Sequence, residues 1–179
     1  MRYISFLRAI NVGGHIVKMG ELKTIFESVG LGEVETFIAS GNVIFTTRSG
    51  KPPALERKIE KALFEKLGYT VETFLRATDE LRVIAEIAPF AADAIAGARV
   101  FNVAFTRNAL TVEQQQLLTQ FDTRLDAFLA SGREIYWLSV AKPGESKFLS
   151  SKMERLLDVR ATWRNINTVR RLSAKYPPD

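Results

Sequence analysis

The spacing of the apolar residues changes along this chain in an order that few folds can satisfy. Runs with the two-residue period of strands alternate with stripes that have the three- and four-residue spacing of helices. In the first 75 residues, two such stripes are formed by Leu22, Ile25, Phe26 and Val29 and by Leu55, Ile59, Leu63 and Leu67. Gly30 and Gly68 follow the stripes, where glycine commonly ends a helix. The spacing predicts the order strand, helix, strand, strand, helix, strand.

This order is that of a ferredoxin-like unit, an antiparallel sheet with two helices. The predicted strands are residues 2–10, 33–38, 42–46 and 69–75. The first strand is apolar at both its odd and its even positions, which indicates that both faces of the sheet are covered. A third helix with Leu81 and Ile84 follows the fourth strand.

The second half of the chain repeats the pattern. A strand over residues 99–105 precedes a helix whose start has a capping box, Thr111 with Gln114. A hairpin around Ser131 and Gly132, a helix capped by Ser146, a short strand and a final helix from Asn165 follow. The predicted fold class is therefore α+β, with two tandem ferredoxin-like (βαββαβ) halves and antiparallel sheets.

Short sequence matches support an internal duplication. The segment ISFLR at 4–8 resembles VAFTR at 103–107, and FIASG at 37–41 resembles FLASG at 128–132. We predict an N-terminal half over residues 1–89, a connection over 90–97, and a C-terminal half over 98–179 that carries the basic C-terminal helices.

Composition excludes several functional classes. The 179 residues contain no cysteine and one histidine, which argues against thiol chemistry and a histidine metal cluster, so we expect no metal and no cofactor. No apolar run is long enough to cross a membrane, and the N-terminus lacks the core of a signal peptide, so we expect a cytoplasmic protein. Nine basic and four acidic residues between 142 and 179 account for the whole net charge of +5. Such a basic segment suggests an anionic partner, although solvated Lys and Arg on helix surfaces are also common.

A first candidate anion site lies where the first strand ends. Strands one and two run the same way in the predicted unit, so the loop after one and the turn after the other meet at one end of the sheet. Glycines leave backbone N–H groups free for an anion, and an arginine offers a two-pronged donor. The candidates are Arg8, Asn11, Gly13, Gly14, His15, Ser40 and Asn42. The alternative is that they are ordinary turn residues. With no partner acid, nucleophile or metal set, no catalytic residue is assigned.

A second candidate surface lies near the C-terminus. It consists of Ser146, Lys147, Arg164, Asn165, Asn167 and Thr168. Capping of the last helix accounts for Asn165 but not for the others. The alternative is a capped amphipathic helix that docks through Ile166, Val169 and Leu172.

Four motifs in these regions resemble a widespread bacterial family of uncharacterised conserved proteins, known as a domain of unknown function. They are RxINVGG at 8–14 with Ala9 in the variable place, SGNV at 40–43, SK at 146–147 and RNxNT at 164–168. The resemblance implies paired ferredoxin-like halves and supplies no activity. The family usually has glycine at position 9, where this chain has Ala9.

The function most consistent with these features is binding of a phosphate-bearing ligand, either a nucleic acid or a nucleotide-like molecule. Residues 42–46 lack the aromatic and basic pattern of an RNA-recognition strand. One alternative is a small enzyme that acts on a phosphorylated or carboxylated metabolite in the cleft between the halves. Another is a partner-binding or scaffold protein, including a homodimer, because ferredoxin-like sheets have exposed edges.

Overall fold

The structure is a computed structural model that describes residues 1–11, 14–38, 41–48 and 50–178. Contacts divide the chain into two compact units, one comprising Met1–Ile84 with the segment from Arg171 onward, the other Ala85–Arg170. The boundaries predicted from the sequence, 1–89 and 98–179 with a connection over 90–97, stay predictions. None of the helices in the described ranges has the length and hydropathy that crossing a membrane requires.

The first unit has the predicted order of elements. They are β1 (Arg2–Leu7), α1 (Met19–Ser28), β2 (Gly32–Thr36), β3 (Asn42–Thr46), α2 (Pro52–Leu67), β4 (Thr73–Ala77) and then α3 (Thr78–Glu86). The sheet order is β2-β3-β1-β4, and every pair is antiparallel. Pro52 occupies the first turn of α2, where its missing N–H costs no helical hydrogen bond.

The second half of the chain repeats this topology. After α4 (Ala92–Gly97) come β5 (Val100–Thr106), α5 (Val112–Leu118) with a 3-10 turn, β6 (Asp126–Ser131), β7 (Glu134–Ser139), α6 (Ser150–Leu157), β8 (Ala161–Asn165) and α7 (Ile166–Lys175). The sheet order is β6-β7-β5-β8, again antiparallel. The predicted fold class, two similar α+β halves in tandem, is confirmed.

The strand registers show which positions of the two halves are equivalent. In β1, Ile4 pairs with Arg76 on one side and Ile44 on the other. In β5, Val103 pairs with Arg164 and Tyr136 in the same way. The match between residues 4–8 and 103–107 is therefore also a structural match.

The hairpin match is not structural, and that part of the sequence interpretation was wrong. Phe37 follows the end of β2, and its N–H donates to the carbonyl of Asn42. Phe128, its counterpart in sequence, lies inside β6 and pairs with Trp137. The connection between β2 and β3 spans residues 37–41, whereas β6 and β7 are joined by Gly132 and Arg133 alone. The two similar segments therefore occupy different register positions in their hairpins.

The first sheet buries both of its faces. On the α1 and α2 side of the first sheet, Tyr3, Phe45 and Leu75 belong to the hydrophobic core. On the other side, Ile4, Phe6 and Phe74 are fully buried as well. The apolar residues on both faces of the first strand therefore have the cover that their pattern predicted.

Two of the predicted helix caps are present and one is not. Thr111 and Gln114 form the capping box of α5, and the side chain of Asn165 accepts a 2.9 Å hydrogen bond from the N–H of Asn167. Ser146 does not cap α6, which begins four residues later with Leu149 as its N-cap and no side-chain cap. The Ser146 hydroxyl instead donates to the carboxylate of Asp126 at 2.9 Å, a charge-assisted bond that holds it outside the helix.

Candidate functional site

The loop after β1 keeps its polar groups engaged with its own surroundings. Arg8 donates to the Glu72 carboxylate at 2.9 Å, with 28% and 24% of the two side chains exposed. Asn11 accepts a 2.9 Å hydrogen bond from the N–H of Val17. These contacts shape the loop, and they place a negative charge beside the arginine that was predicted to receive an anion.

Gly14 and His15 complete the described part of this loop. Gly14 is exposed and has a positive φ of 86°. The imidazole of His15 stacks on the ring of Tyr69 at 4.0 Å, and the Tyr69 hydroxyl donates to the carbonyl of Ile10 at 2.9 Å. No carboxylate adjoins the imidazole among these contacts, and its role here is to cover a tyrosine.

The turn before β3 lies against this loop, as the strand directions predicted. The carbonyl of Gly41 accepts a 2.8 Å hydrogen bond from the N–H of Leu7. A Cβ at Gly41 would lie 2.8 Å from a methyl carbon of Ile10. Asn42 is fully buried, and its amide donates to the carbonyl of Phe37 at 3.0 Å. Gly13 and Ser40 lie outside the described residues.

Ala9 occupies the backbone conformation for which glycine is best suited. Its φ is +58°, in the left-handed region that side chains with a Cβ rarely adopt. The usual glycine of the similar family would fit this conformation without strain.

The C-terminal candidates are split between two faces of a strand. Arg164 is 8% exposed, and its guanidinium donates to the hydroxyl of Thr162 and the carbonyl of Trp163. Its burial lowers its pKa to about 10. Because neighbouring side chains of a strand point to opposite faces, Trp163 and Asn165 lie on the other face of β8. Asn167 and Thr168 lie in the first turn of α7.

A cavity of about 310 Å³ opens on this second face of β8, between the SK and RNxNT segments. We call it the aromatic cleft. It is lined by Asn102, Trp137, Phe148, Leu149, Ser150 and Trp163. Strand pairing brings the residues together, since Asn102 on β5 pairs with Trp137 on β7 and with Asn165 on β8.

Three aromatic rings form the apolar part of the cleft. Phe148 lies between the two indoles, with its ring centroid 4.7 Å from that of Trp137 and 5.8 Å from that of Trp163. The two indoles are 6.0 Å apart and nearly perpendicular, at 81°. All three side chains are partly exposed, which leaves ring surface available to a planar ligand.

A buried carboxylate holds this aromatic group in place. Asp126, 4% exposed, accepts hydrogen bonds of 2.9 Å from the indole N–H of Trp137 and from the hydroxyl of Ser146. The oxygen of Ser146 in turn accepts the N–H of Phe148 at 3.2 Å. Ser146 therefore positions the segment that carries Lys147 and Phe148.

The polar groups of the cleft include an unusual one. The indole N–H of Trp163 is buried and has no hydrogen-bond partner among the described residues. Asn165 donates from its amide to the side-chain oxygen of Asn102 at 3.4 Å. At the cleft, α6 begins with Ser150 and lacks a side-chain cap.

The same place in the first unit is filled. Through the strand registers, Asn102, Trp137 and Trp163 correspond to Tyr3, Phe45 and Leu75, which are buried under α1 and α2. The helix before the last strand also differs in length between the units, with 16 residues in α2 and 8 in α6. The sequence interpretation missed the aromatic lining. The available signal was that Phe148 and Trp163 directly adjoin the two C-terminal motifs.

A larger and more polar groove lies in the first unit. It measures about 860 Å³, and Arg2, Arg48 and Lys58 are the basic side chains in its lining. Within the described ranges, Arg48 and Lys58 have no carboxylate partner, whereas Arg2 pairs with Glu33 at 3.4 Å. We call it the basic groove. None of the residues predicted as ligand-binding lines it. Across the described chain, no three Asp, Glu, His or Cys side chains are grouped so as to hold a metal ion.

Comparisons with known proteins define the relatives of this chain. It is similar to a solved structure, conserved bacterial protein SP0830 from Streptococcus pneumoniae, with 25% sequence identity, 97% of each chain covered and a TM-score of 0.74. No curated protein matches. The family model described as protein of unknown function (DUF1697) matches residues 1–136, which include the RxINVGG and SGNV segments. With that match over most of its length, the chain belongs to the DUF1697 family.

Proposed function

We propose that this protein binds a small nucleotide-like molecule, a planar ring that carries phosphate, in the aromatic cleft. The observation that carries the proposal is the set of partly exposed rings of Trp137, Phe148 and Trp163 around a cavity of about 310 Å³. That volume is at the lower end for small-molecule sites. Indole and phenyl rings stack on any nucleobase, because every base has a flat aromatic face.

The surroundings of the cleft suit the phosphate. Lys147 precedes Phe148, is exposed, and has no ion-pair partner in the described part of the chain. The first N–H groups of α6, at Ser150, have no side-chain cap, and the start of a helix favours negative charge. These features lie beside the stacking surface, so ring and phosphate have separate places.

A small molecule fits better than a nucleic acid strand. RNA-recognition modules of this topology use the sheet face opposite the helices. Here that face is closed, since Val103 and Phe105 are fully buried in the second unit. The cleft lining also contains no ionisable side chain, so its chemistry supports binding rather than proton transfer. Association with a second copy stays a prediction.

Intrinsic fluorescence gives a direct test. Trp137 and Trp163 are the only tryptophans in the sequence, and both line the cleft. Excited at the red edge of the tryptophan band, the protein is titrated with inosine, guanosine, uridine, adenosine and cytidine monophosphates. We expect saturable quenching by at least one of them and none by inorganic phosphate alone, which lacks the ring.

Two variants locate the bound molecule. Phe148→Ala removes one stacking surface, and we expect affinity to fall about fivefold or more, since a stacked base contributes about 1–3 kcal/mol. Arg48→Ala, in the basic groove, serves as the matched control and leaves the titration unchanged. The proposal fails if no monophosphate quenches, or if Arg48→Ala rather than Phe148→Ala abolishes the signal. Steeply salt-sensitive binding of long oligonucleotides alone would instead identify a nucleic acid partner.

A further inference from the structure

The polar groups of the aromatic cleft indicate which hydrogen-bonding edge a bound base should have. We propose that the cleft selects bases with carbonyl groups on that edge, such as hypoxanthine, guanine and uracil, over bases with amino groups, such as adenine and cytosine. This selectivity rests on the proposed function and is set by Asn102.

The orientation of one amide is fixed by the backbone. The side-chain oxygen of Asn165 accepts a 2.9 Å hydrogen bond from the N–H of Asn167, because Asn165 stands at the start of α7. An amide nitrogen in that place would oppose another donor. The side-chain nitrogen of Asn165 must therefore point elsewhere, and it faces Asn102.

The orientation of the second amide follows from the first. The nitrogen of Asn165 lies 3.4 Å from the side chain of Asn102, which has to present its oxygen to accept this bond. The Asn102 nitrogen is then directed away from Asn165. It has no hydrogen-bond partner among the described residues, and Asn102 lines the cleft. A relay of two amides thus leaves Asn102 as a donor.

The other polar side chains at the cleft provide no fixed acceptor. The indole nitrogen of Trp163 can only donate, and it lies buried beneath the lining without a partner in the described ranges, so the ligand does not contact it. The carbonyl of Leu149 already accepts from the N–H groups of Lys152 and Met153. Among the lining side chains, the Ser150 hydroxyl is able to either donate or accept.

Donors of this kind discriminate between bases by their exocyclic groups. The carbonyl at position 6 of guanine or hypoxanthine and that at position 4 of uracil accept hydrogen bonds, whereas the amino groups of adenine and cytosine donate. An amino group against the Asn102 nitrogen leaves two donors facing each other. A polar group left without a partner on binding lowers affinity, and we expect about a tenfold preference for the carbonyl base.

The sharpest comparison is inosine monophosphate against adenosine monophosphate. The two share sugar, phosphate and ring size and differ at position 6 and in the proton at the adjacent ring nitrogen. Uridine and cytidine monophosphates form a second pair. In tryptophan fluorescence titrations of the full chain, we expect the first member of each pair to bind about ten times more tightly.

Three variants assign the preference. Asn102→Asp replaces the donor by an acceptor of equal size, so the ratio within each pair should invert. The added charge weakens all monophosphates alike, and the ratio is therefore the readout. Asn102→Ala should bring the ratio close to one. Asn165→Asp keeps the bond to the Asn167 N–H but presents an acceptor to Asn102 instead of a donor. The Asn102 amide then turns its nitrogen toward the new carboxylate and its oxygen toward the cleft, so the preference should invert here as well.

The outcomes separate this inference from the function on which it rests. Equal affinity for inosine and adenosine monophosphates would overturn the selectivity and leave the binding function standing. An unchanged affinity ratio in the Asn102→Asp variant would show that Asn102 does not set the selectivity. Absence of binding by every monophosphate would overturn both proposals. Circular dichroism of each variant confirms that a changed ratio is measured on folded protein.

Discussion

The carboxylate of Asp126 accepts a 2.9 Å hydrogen bond from the indole nitrogen of Trp137. The ring centroid of Trp163 lies 6.0 Å from that of Trp137. The indole nitrogen of Trp163 has no hydrogen-bond partner among the described residues. The two tryptophans of this cluster thus differ in whether the indole N–H has a partner. A hydrogen bond to a charged group contributes about 1.5–3 kcal/mol, so the two indoles should respond differently to the same substitution.

We expect Trp137→Phe to destabilise the protein more than Trp163→Phe. Both changes remove similar ring area, but only the first takes a donor from the buried carboxylate of Asp126, which keeps its bond from the Ser146 hydroxyl. The difference in free energy of unfolding should be about 1.5–3 kcal/mol. Urea unfolding followed by circular dichroism measures it without relying on the altered fluorescence. Equal decreases in the free energy of unfolding would show that the hydrogen bond to Asp126 makes no net contribution to stability.

Gly41 and Gly132 form a matched pair for testing the turn against the loop after β1. Both have positive φ, +72° and +59°. A Cβ at Gly41 would lie 2.8 Å from Ile10 and 3.1 Å from Leu7, whereas one at Gly132 would meet only the flexible end of Glu134 at 3.4 Å. Alanine at either position is destabilised by the left-handed backbone conformation. At position 41 the added methyl group would also overlap with Ile10 and Leu7. We expect Gly41→Ala to lose about 1–3 kcal/mol more in urea unfolding.

Ala9 offers a stabilising substitution. The φ of +58° destabilises an alanine by roughly 1–2 kcal/mol. Glycine avoids this strain but loses about 0.5–1 kcal/mol of stability, because its unfolded chain has more conformational freedom. Ala9→Gly should therefore raise the free energy of unfolding by up to about 1 kcal/mol. Ala9→Val should lower it, because a branched side chain tolerates this conformation least. A thermal scan that ranks valine above glycine would contradict the backbone assignment.

The C-terminal segment makes the first unit sensitive to pH. The hydroxyl of Tyr176 donates to Glu35 at 2.7 Å, and this bond is the main reason that the pKa of Glu35 lies below its usual 4.5. A carboxyl with a lowered pKa stabilises the fold above its unfolded pKa and loses that contribution as the pH falls. The difference in stability between the native chain and Glu35→Gln should shrink in acid. Denaturant unfolding on both sides of pH 4.5 tests this.

The alkaline side has the opposite sign. Burial, more than any other cause, raises the pKa of Tyr176 above its usual 10.0. The neutral phenol is favoured in the fold, so its contribution is present below the unfolded pKa and disappears as the pH rises through the folded one. Tyr176→Phe should flatten this alkaline loss. A variant that loses stability in alkali as steeply as the native chain would assign the effect to other groups.

The order of elements was readable from the sequence because it depends on the spacing of apolar residues. Leu22, Ile25 and Phe26 are all buried on one side of α1, as their spacing predicted. Strand register was not readable, since a two-residue period is satisfied by several registers. Phe37 and Phe128 looked equivalent for that reason, and only the different lengths of the two turns separate them.

The site was harder to foresee than the fold. The sequence predicted a short strand around residues 161–162 and a helix from Asn165, but β8 runs through Ala161–Asn165, and strand alternation turns Arg164 away from Asn165. Trp137 and Asn102 lie on separate strands, and their neighbourhood exists only through the β5–β7 pairing. In sequence, such aromatic residues resemble core residues. Their partial exposure accompanies a shorter helix, since α6 has 8 residues and α2 has 16.

The helix that precedes the last strand of each sheet differs in length between the two halves. An α-helix rises 1.5 Å per residue, so α6 is about 12 Å shorter than α2. The strand order and pairing of the two sheets are the same. The same strand framework therefore carries core residues at Phe45 and Leu75 but partly exposed tryptophans at the equivalent positions 137 and 163. A substitution at one of these positions tests interior packing in the first half and surface properties in the second.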